Sequence, residues 1–342
     1  MESPQNIKKR LKSVGNINKI TKAMELVSAT KMRKSQQIAL DSRPYAFAGL
    51  ELLANLSVLE KTAKLKMPEL FEVRKKINKV LFIVVASDKG LAGAFNSSVF
   101  RKFELHQKEF KEKMMKPDKS PKGHFDGLVT ISPKANLVGE EHLYLAVGEK
   151  ENAYLIKKGL KVIKKFVHVG DFVTPDQTSE IAEFVIKGFL NKDWDRLVAI
   201  STHFKTALKQ EPHVRRILPI DFDHIKDTIK EIIPEKGKFA DLIKENSLDF
   251  VPDEKKVAEY LIEPNPQNVI EKLAEHLFSM QIYHLILEAN ASEHSARRMA
   301  MKTASDNAAE LGETLNLQYN KSRQARITTE ITEISAGAEA LQ

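Results

Sequence analysis

Residues 301–315 read MKTASDNAAELGETL, with Met301, Ala304, Ala308, Leu311 and Leu315 recurring at alternating steps of three and four. That spacing lays a narrow apolar stripe along one side of a helix, as a coiled-coil seam requires. The stretch is part of a longer one. From Gln267 to Gln342 the chain has no proline and only two glycines, Gly312 and Gly337. A continuous helix of that length would extend about 110 Å. A second series, Ile327, Ile331, Ile334, Ala338 and Leu341, alternates in the same way. Tyr319 and Arg323 bridge the two series in steps of four, which predicts a stutter and local unwinding.

The other end of the chain shows the same habit. Ile7, Leu11, Val14, Ile17, Ile20, Met24 and Val27 are spaced by three or four, the period of a helix with one apolar side. Ser3 before Pro4 supplies an N-cap followed by proline at the first helical position. Pro44 should kink or restart the helix, and Tyr45 to Val58 again has helical spacing. Residues 1–59 and 265–342 are thus expected to form two coiled-coil helices, paired antiparallel as a rod.

Between them the pattern changes. Val80 to Ala86 reads VLFIVVA, a continuous apolar run rich in β-branched residues, as in a strand buried on both faces. The loop Ser87 to Gly93 and a helix from about Asn96 follow. Further strand candidates are Gly127 to Ile131, Leu143 to Val147, Lys161 to Val169 and Arg196 to Thr202, and Ser179 to Leu190 has helical spacing. Strands alternating with helices predict a Rossmann-like α/β domain with a largely parallel sheet over residues 78–222. Residues 223–264 read as an inserted or connecting segment. The stretches Lys108 to Lys122 and Asp223 to Lys256 are Lys-rich and look like exposed insertions. The fold class is therefore α/β plus coiled coil.

Composition narrows the functions. Among 342 residues there is no cysteine, which excludes disulfides, thiolate metal sites and a cysteine nucleophile. No run reaches the roughly 18 apolar residues of a membrane span, and Met1 to Asn6 lacks the apolar stretch of a secretory signal. The net charge is +8. Nine Lys/Arg against Glu2 and Glu25 place +7 of it in the first 40 residues. That segment calls for an anionic neighbour. Nucleic acid is one candidate, yet residues 1–44 contain no aromatic side chain and so offer no platform for base stacking.

No catalytic constellation emerges. Gly90-Leu91-Ala92-Gly93 between strand and helix resembles a phosphate-binding turn, but it matches neither dinucleotide nor P-loop spacing. Glycines demanded by a tight turn are the commoner reason for such a pair. Asp88 could act as a base or ribose contact, or simply cap the turn. His276, His284 and His294 lack the i, i+4 spacing of a helical zinc pair. The segment from Tyr319 to Thr328 places hydrogen-bonding side chains at the expected stutter, either as solvated surface or as a grip for a partner.

Several stretches carry a resemblance. Ile7 to Val14 (IKKRLKSV), Ile20 to Val27 (ITKAMELV), Lys31-Met32-Arg33 and Ser42 to Tyr45 (SRPY) resemble the N-terminal helix of the γ subunits of rotary ATP synthases. Asp88 to Asn96 (DKGLAGAFN) resembles that family's strand-to-helix turn, with Ala92 where cysteine is common. Glu293 to Arg297, Asp306-Asn307, Tyr319-Asn320 and Arg323 to Thr328 (RQARIT) resemble its C-terminal signature. The resemblance implies a non-catalytic rotor shaft standing inside a hexamer of α and β subunits. Its central domain would dock with ε on a membrane ring of c subunits, at the cytoplasmic face of the membrane and touching the membrane only through the complex. The shaft would bind no cofactor and no nucleic acid. Met24, Arg297, Gln324 and Thr328 match positions that in the family meet the surrounding subunits. Arg298 departs from the pattern, where an apolar residue usually follows the arginine.

Overall fold

The computed structural model describes residues 3–42, 48–49, 52, 66–74, 76–115, 140–220 and 262–339. The strand candidate Gly127 to Ile131, Leu341 and the Lys-rich stretch Asp223 to Lys256 lie outside the described residues. So do Pro44, most of Tyr45 to Val58, and the Lys108 to Lys122 stretch beyond Met115.

Contacts divide the chain into two units, Met1–Thr30 with Arg297–Gln342, and Lys31–Ala296. Two helices serve both: α1 over Pro4–Asp41 and the last helix over Pro266–Glu339, 74 residues without a break. Each start is capped as its sequence dictates. The Ser3 hydroxyl accepts the Asn6 N–H at 3.4 Å, and the Asn265 side chain accepts the Asn268 N–H at 2.8 Å, each cap preceding a proline that has no N–H to satisfy.

Among the described residues the larger unit is built on a five-stranded sheet. In chain order its elements are β1 (Lys79–Val85), α2 (Phe95–Met115), β2 (Glu141–Val147), α3 (Glu149–Lys157), β3 (Val162–Phe166), α4 (Pro175–Leu190), β4 (Arg196–Phe204) and β5 (Gln210–Leu218), and the last helix is α5. The strand order is β3-β2-β1-β4-β5. All pairs are parallel except the antiparallel β4–β5. The uninterrupted apolar run of β1 has the reason expected of it. Leu81, Ile83 and Val85 face α4 and α5, joining Ile181, Val185, Phe189, Phe278 and Ile282 in one core. Val80, Phe82 and Val84 face the other way, onto Val99 and Phe103 of α2 and Leu155 of α3.

Two elements differ from the expectation. The helix α3 is short, and it begins one residue after Gly148, whose φ is +102°. A Cβ there would lie 2.1 Å from the Ala86 carbonyl oxygen, so only glycine lets the chain turn so close to β1. The strand β5, QEPHVRRIL, alternates too poorly to announce itself. Among the described residues it is an edge strand, a position where Pro212 and charged side chains are tolerated.

Candidate functional site

In the smaller unit the two terminal helices run antiparallel with one continuous contact stripe. On α1 the covered positions are Ile7, Leu11, Val14, Asn18, Thr21, Glu25 and Ser28, in strict alternation of four and three. On α5 they are Met301, Ser305, Ala308, Gly312, Leu315, Tyr319 and Ser322. The register is fixed at two points. The Ser305 hydroxyl donates to Asn18 Oδ1 at 2.6 Å, and a Cβ on Gly312 would stand 3.9 Å from Val14 Cγ1.

This seam corrects the one expected from apolar spacing. The series Ile7, Leu11, Val14, Ile17, Ile20 takes two consecutive steps of three after Val14 and rotates off the contact line, because a seam of 3.5 residues per turn needs a step of four there. The heptad positions it vacates are filled by polar residues that satisfy themselves locally. The Thr21 hydroxyl donates to the Ile17 and Asn18 carbonyls, each at 3.0 Å, and Glu25 accepts from Lys22 at 2.9 Å. The expected stutter is also absent, since Tyr319 is followed by Ser322 in the stripe and not by Arg323. Counting from the fixed pairs, the start of α1 at Pro4 falls opposite the turn Tyr319 to Ser322, so Ile327, Ile331 and Ile334 have no helix across from them among the described residues.

The consequence is a shaft with its apolar residues outside. Ile17, Ile20, Leu26 and Val27 on α1, with Leu311, Leu317, Ile327, Ile331 and Ile334 on α5, are all 45–74% exposed. Lys8, Lys9, Lys12, Lys19 and Lys22 are exposed among them. A surface mixing large aliphatic and cationic side chains along a helix pair is the kind that protein partners cover.

The four candidate contact residues fall at two levels. Met24 is half-buried and Arg297 is 8% exposed. The seam register places them within about one turn of each other along the helix pair. Gln324 and Thr328 are exposed one turn apart on a single face of α5, the Thr328 hydroxyl donating to the Gln324 carbonyl at 3.0 Å. They lie 27 and 31 residues beyond Arg297, about 40 and about 46 Å along the helix, so the fold does not gather all four into one site.

In the larger unit, the turn at Gly90–Gly93 sits at the carboxyl ends of the parallel strands, where such sheets commonly bind ligands. Gly93 has φ +56° and Leu91 +62°, which accounts for the glycine at Gly93. Asn96 Oδ1 accepts the Ser87 N–H at 3.0 Å, closing the turn with a side chain. Asp88 accepts the N–H of Glu149 at 3.0 Å and of His168 at 3.0 Å, so it caps neighbouring loops. A set of residues that the sequence did not link to one another meets nearby: Asp171, Lys31, Asn290 and the buried His294. No spacing links them, so sequence alone carried no signal for the set. Burial works against the Asp171 carboxylate, but the Lys31 ammonium bonded to it and the charges of His294 and Lys89 outweigh this and hold it below its usual range. Among the described residues no cluster of His, Asp or Glu is placed to hold a metal ion, and no helix is long and apolar enough to cross a membrane.

Fold and surface together define a class of protein: one unit an antiparallel pair of long helices with exposed aliphatic and cationic side chains, the other an α/β domain with a largely parallel sheet. A family model described as ATP synthase matches residues 3–341. The ATP synthase gamma chain of Roseiflexus castenholzii is 33% identical over 344 residues, covering 100% of this chain and 99% of that one. That of Bdellovibrio bacteriovorus is 32% identical over 342 residues, with 100% of both covered. A chain in the solved Euglena gracilis mitochondrial ATP synthase (OSCP/F1/c-ring, rotational state 3) aligns with TM-score 0.57 and 16% identity, over 99% of this chain and 94% of that one. The rotor of the same enzyme in rotational state 1 aligns with TM-score 0.55 and 15% identity, over 95% and 98%. These two show the shared fold. The chain belongs to the ATP synthase gamma family, and with it to a membrane-associated rotary complex.

Proposed function

We propose that this chain is the central shaft of a rotary ATP synthase, transmitting torque between a membrane c ring and a hexamer of α and β subunits during ATP synthesis or hydrolysis. The observation that carries this is the inversion of α1, with Asn18, Thr21 and Glu25 in the seam while Ile17, Ile20 and Val27 face outward. A two-helix rod with that surface gains stability from a partner that covers it, since apolar area left in water forgoes about 25 cal/mol per Å2 of stabilisation. A sleeve contacting aliphatic side chains through non-directional forces can hold the shaft without fixing one angle. The exposed lysines of residues 8–22 supply long-range attraction to acidic loops of the sleeve.

In this reading the chain performs no bond chemistry and binds no cofactor; nucleotide and Mg2+ belong to the surrounding subunits. Residues 1–59 and 265–342 form the shaft, 78–222 the α/β domain that docks with ε on the c ring, and 223–264 the connection. Met24 and Arg297 meet the α and β subunits at one level, Gln324 and Thr328 at a second. The complex lies on the cytoplasmic face of the membrane, and the chain touches the membrane only through it.

The test is co-expression with α and β subunits from the same source, followed by sizing and an ATPase assay. One copy of the chain per hexamer in a particle that hydrolyses ATP supports the shaft. Elution of the chain alone, or nucleotide or nucleic-acid binding by the isolated chain, overturns it.

A further inference from the structure

Beyond the carboxyl ends of β1, β2 and β3 lies a cavity of about 190 Å3, at the place where open parallel sheets bind their ligands. Here its polar positions are filled from within. The backbone N–H groups at the start of α3 and at His168, natural anchors for an anion, are both taken by the Asp88 carboxylate. The loop that follows β3 then reaches both terminal helices. Asp171 Oδ2 accepts from Lys31 of α1 at 2.5 Å, and its Oδ1 stands 3.5 Å from His294 Nε2 of α5. Beside it the Gly170 carbonyl accepts from Asn290 of α5 at 2.9 Å, and the Lys34 ammonium of α1 lies 4.4 Å from the centre of the Phe172 ring. Positive φ values at His168 (+59°) and Gly170 (+94°) turn the loop back toward the helices.

We infer that this crevice is a socket for the shaft, and that Asp171 is a positioning residue that pins α1 and α5 to the sheet. The inference rests on the rotor function proposed above. The physical reason is directional. Apolar packing between α5 and the sheet, through Phe278, Ile282 and Ile286, resists separation but has little preference for angle. Hydrogen bonds lose strength steeply when misaligned, so a loop carrying two of them, with an ion pair and a cation–π contact beside them, to two helices resists their turning against the sheet. Because Asp88 ties His168 to α3 and the β1 loop, a load taken by Asp171 passes to three strand ends instead of to one free loop.

The experiment places D171N, K31M and the double variant in the chain of the assembled, membrane-bound complex. ATP hydrolysis and ATP-driven ion uptake into inverted vesicles are measured side by side. Each single variant should lower ion uptake per ATP by about threefold or more, and the double variant should go no lower than the worse single, as for two halves of one interaction. N290L and H294Q alter the α5 contacts while leaving the Asp171–Lys31 pair in place and carry the same expectation, so poor assembly of one variant leaves the others to decide. Normal uptake per ATP in assembled D171N, or additive losses in the double variant, overturns the socket. A wild-type complex that lacks the chain, or hydrolyses ATP without ion uptake, counts against the rotor function instead.

Discussion

Asn18 and Ser305 stand across the helix seam with 2.6 Å between the amide oxygen and the hydroxyl. They are 287 residues apart in the chain, and Ser305 is buried. A polar pair inside a coiled-coil seam costs stability and fixes register. N18A strands a buried hydroxyl and should lower the stability of the helix pair by about 1–2 kcal/mol. N18L with S305A removes both polar partners and should recover that loss. Helical circular dichroism through thermal unfolding distinguishes them; equal melting of N18A and wild type would mean that the bond carries no weight.

The outward isoleucines separate stability from assembly. I17D with I20D, or I331D with I334D, should leave the melting of the isolated chain nearly unchanged, within about 0.5 kcal/mol per site, as for exposed positions. The same variants should fail to hold α and β subunits in pull-down and sizing. A large drop in melting temperature would show that these side chains are packed within the chain.

Gly312 lies inside a long helix at a place where a methyl group fits, since its Cβ would make only an ordinary contact with Val14. G312A should stabilise the helix pair by about 0.5–1 kcal/mol, the usual cost of glycine relative to alanine in a helix. Calorimetry on the isolated chain reads the change, and a loss of stability would show that the added methyl stands closer to Val14 Cγ1 than the 3.9 Å expected.

Glu151 of α3 is wholly buried, with neither carboxylate oxygen hydrogen-bonded. Burial pushes its pKa from 4.5 up to about 8. The folded state therefore holds a proton that the unfolded chain releases above the ordinary value. Its contribution is fully present below pH 4.5 and declines by about 1.4 kcal/mol per pH unit as pH rises toward 8. E151Q, neutral in both states, should remove that slope and raise stability at pH 8. Parallel denaturant titrations at pH 5.5 and 8 test it; an unchanged pH dependence in E151Q would exclude Glu151 as the titrating group.

Sequence alone determined what repeats along a single element. The absence of proline from residues 267–342 and the 3.6-residue period set the existence and nearly the bounds of α5, and the apolar run of Val80 to Ala86 set a strand covered on both faces. Its motifs also carried the family. Tertiary structure decided what depends on a second element. Which of several apolar series on α1 becomes the seam follows from the register with α5, where Gly312 and Ser305 admit Val14 and Asn18, so Ile17 and Ile20 turn outward. The polar edge strand β5 exists because β4 offers it a ladder. Asp171, Lys31 and His294 share no spacing, and their meeting is a property of the crossover that carries the loop after β3 to both helices. A local period fixes a local dihedral preference; choosing among faces of equal periodicity requires the energy of the contact itself, which no single segment contains.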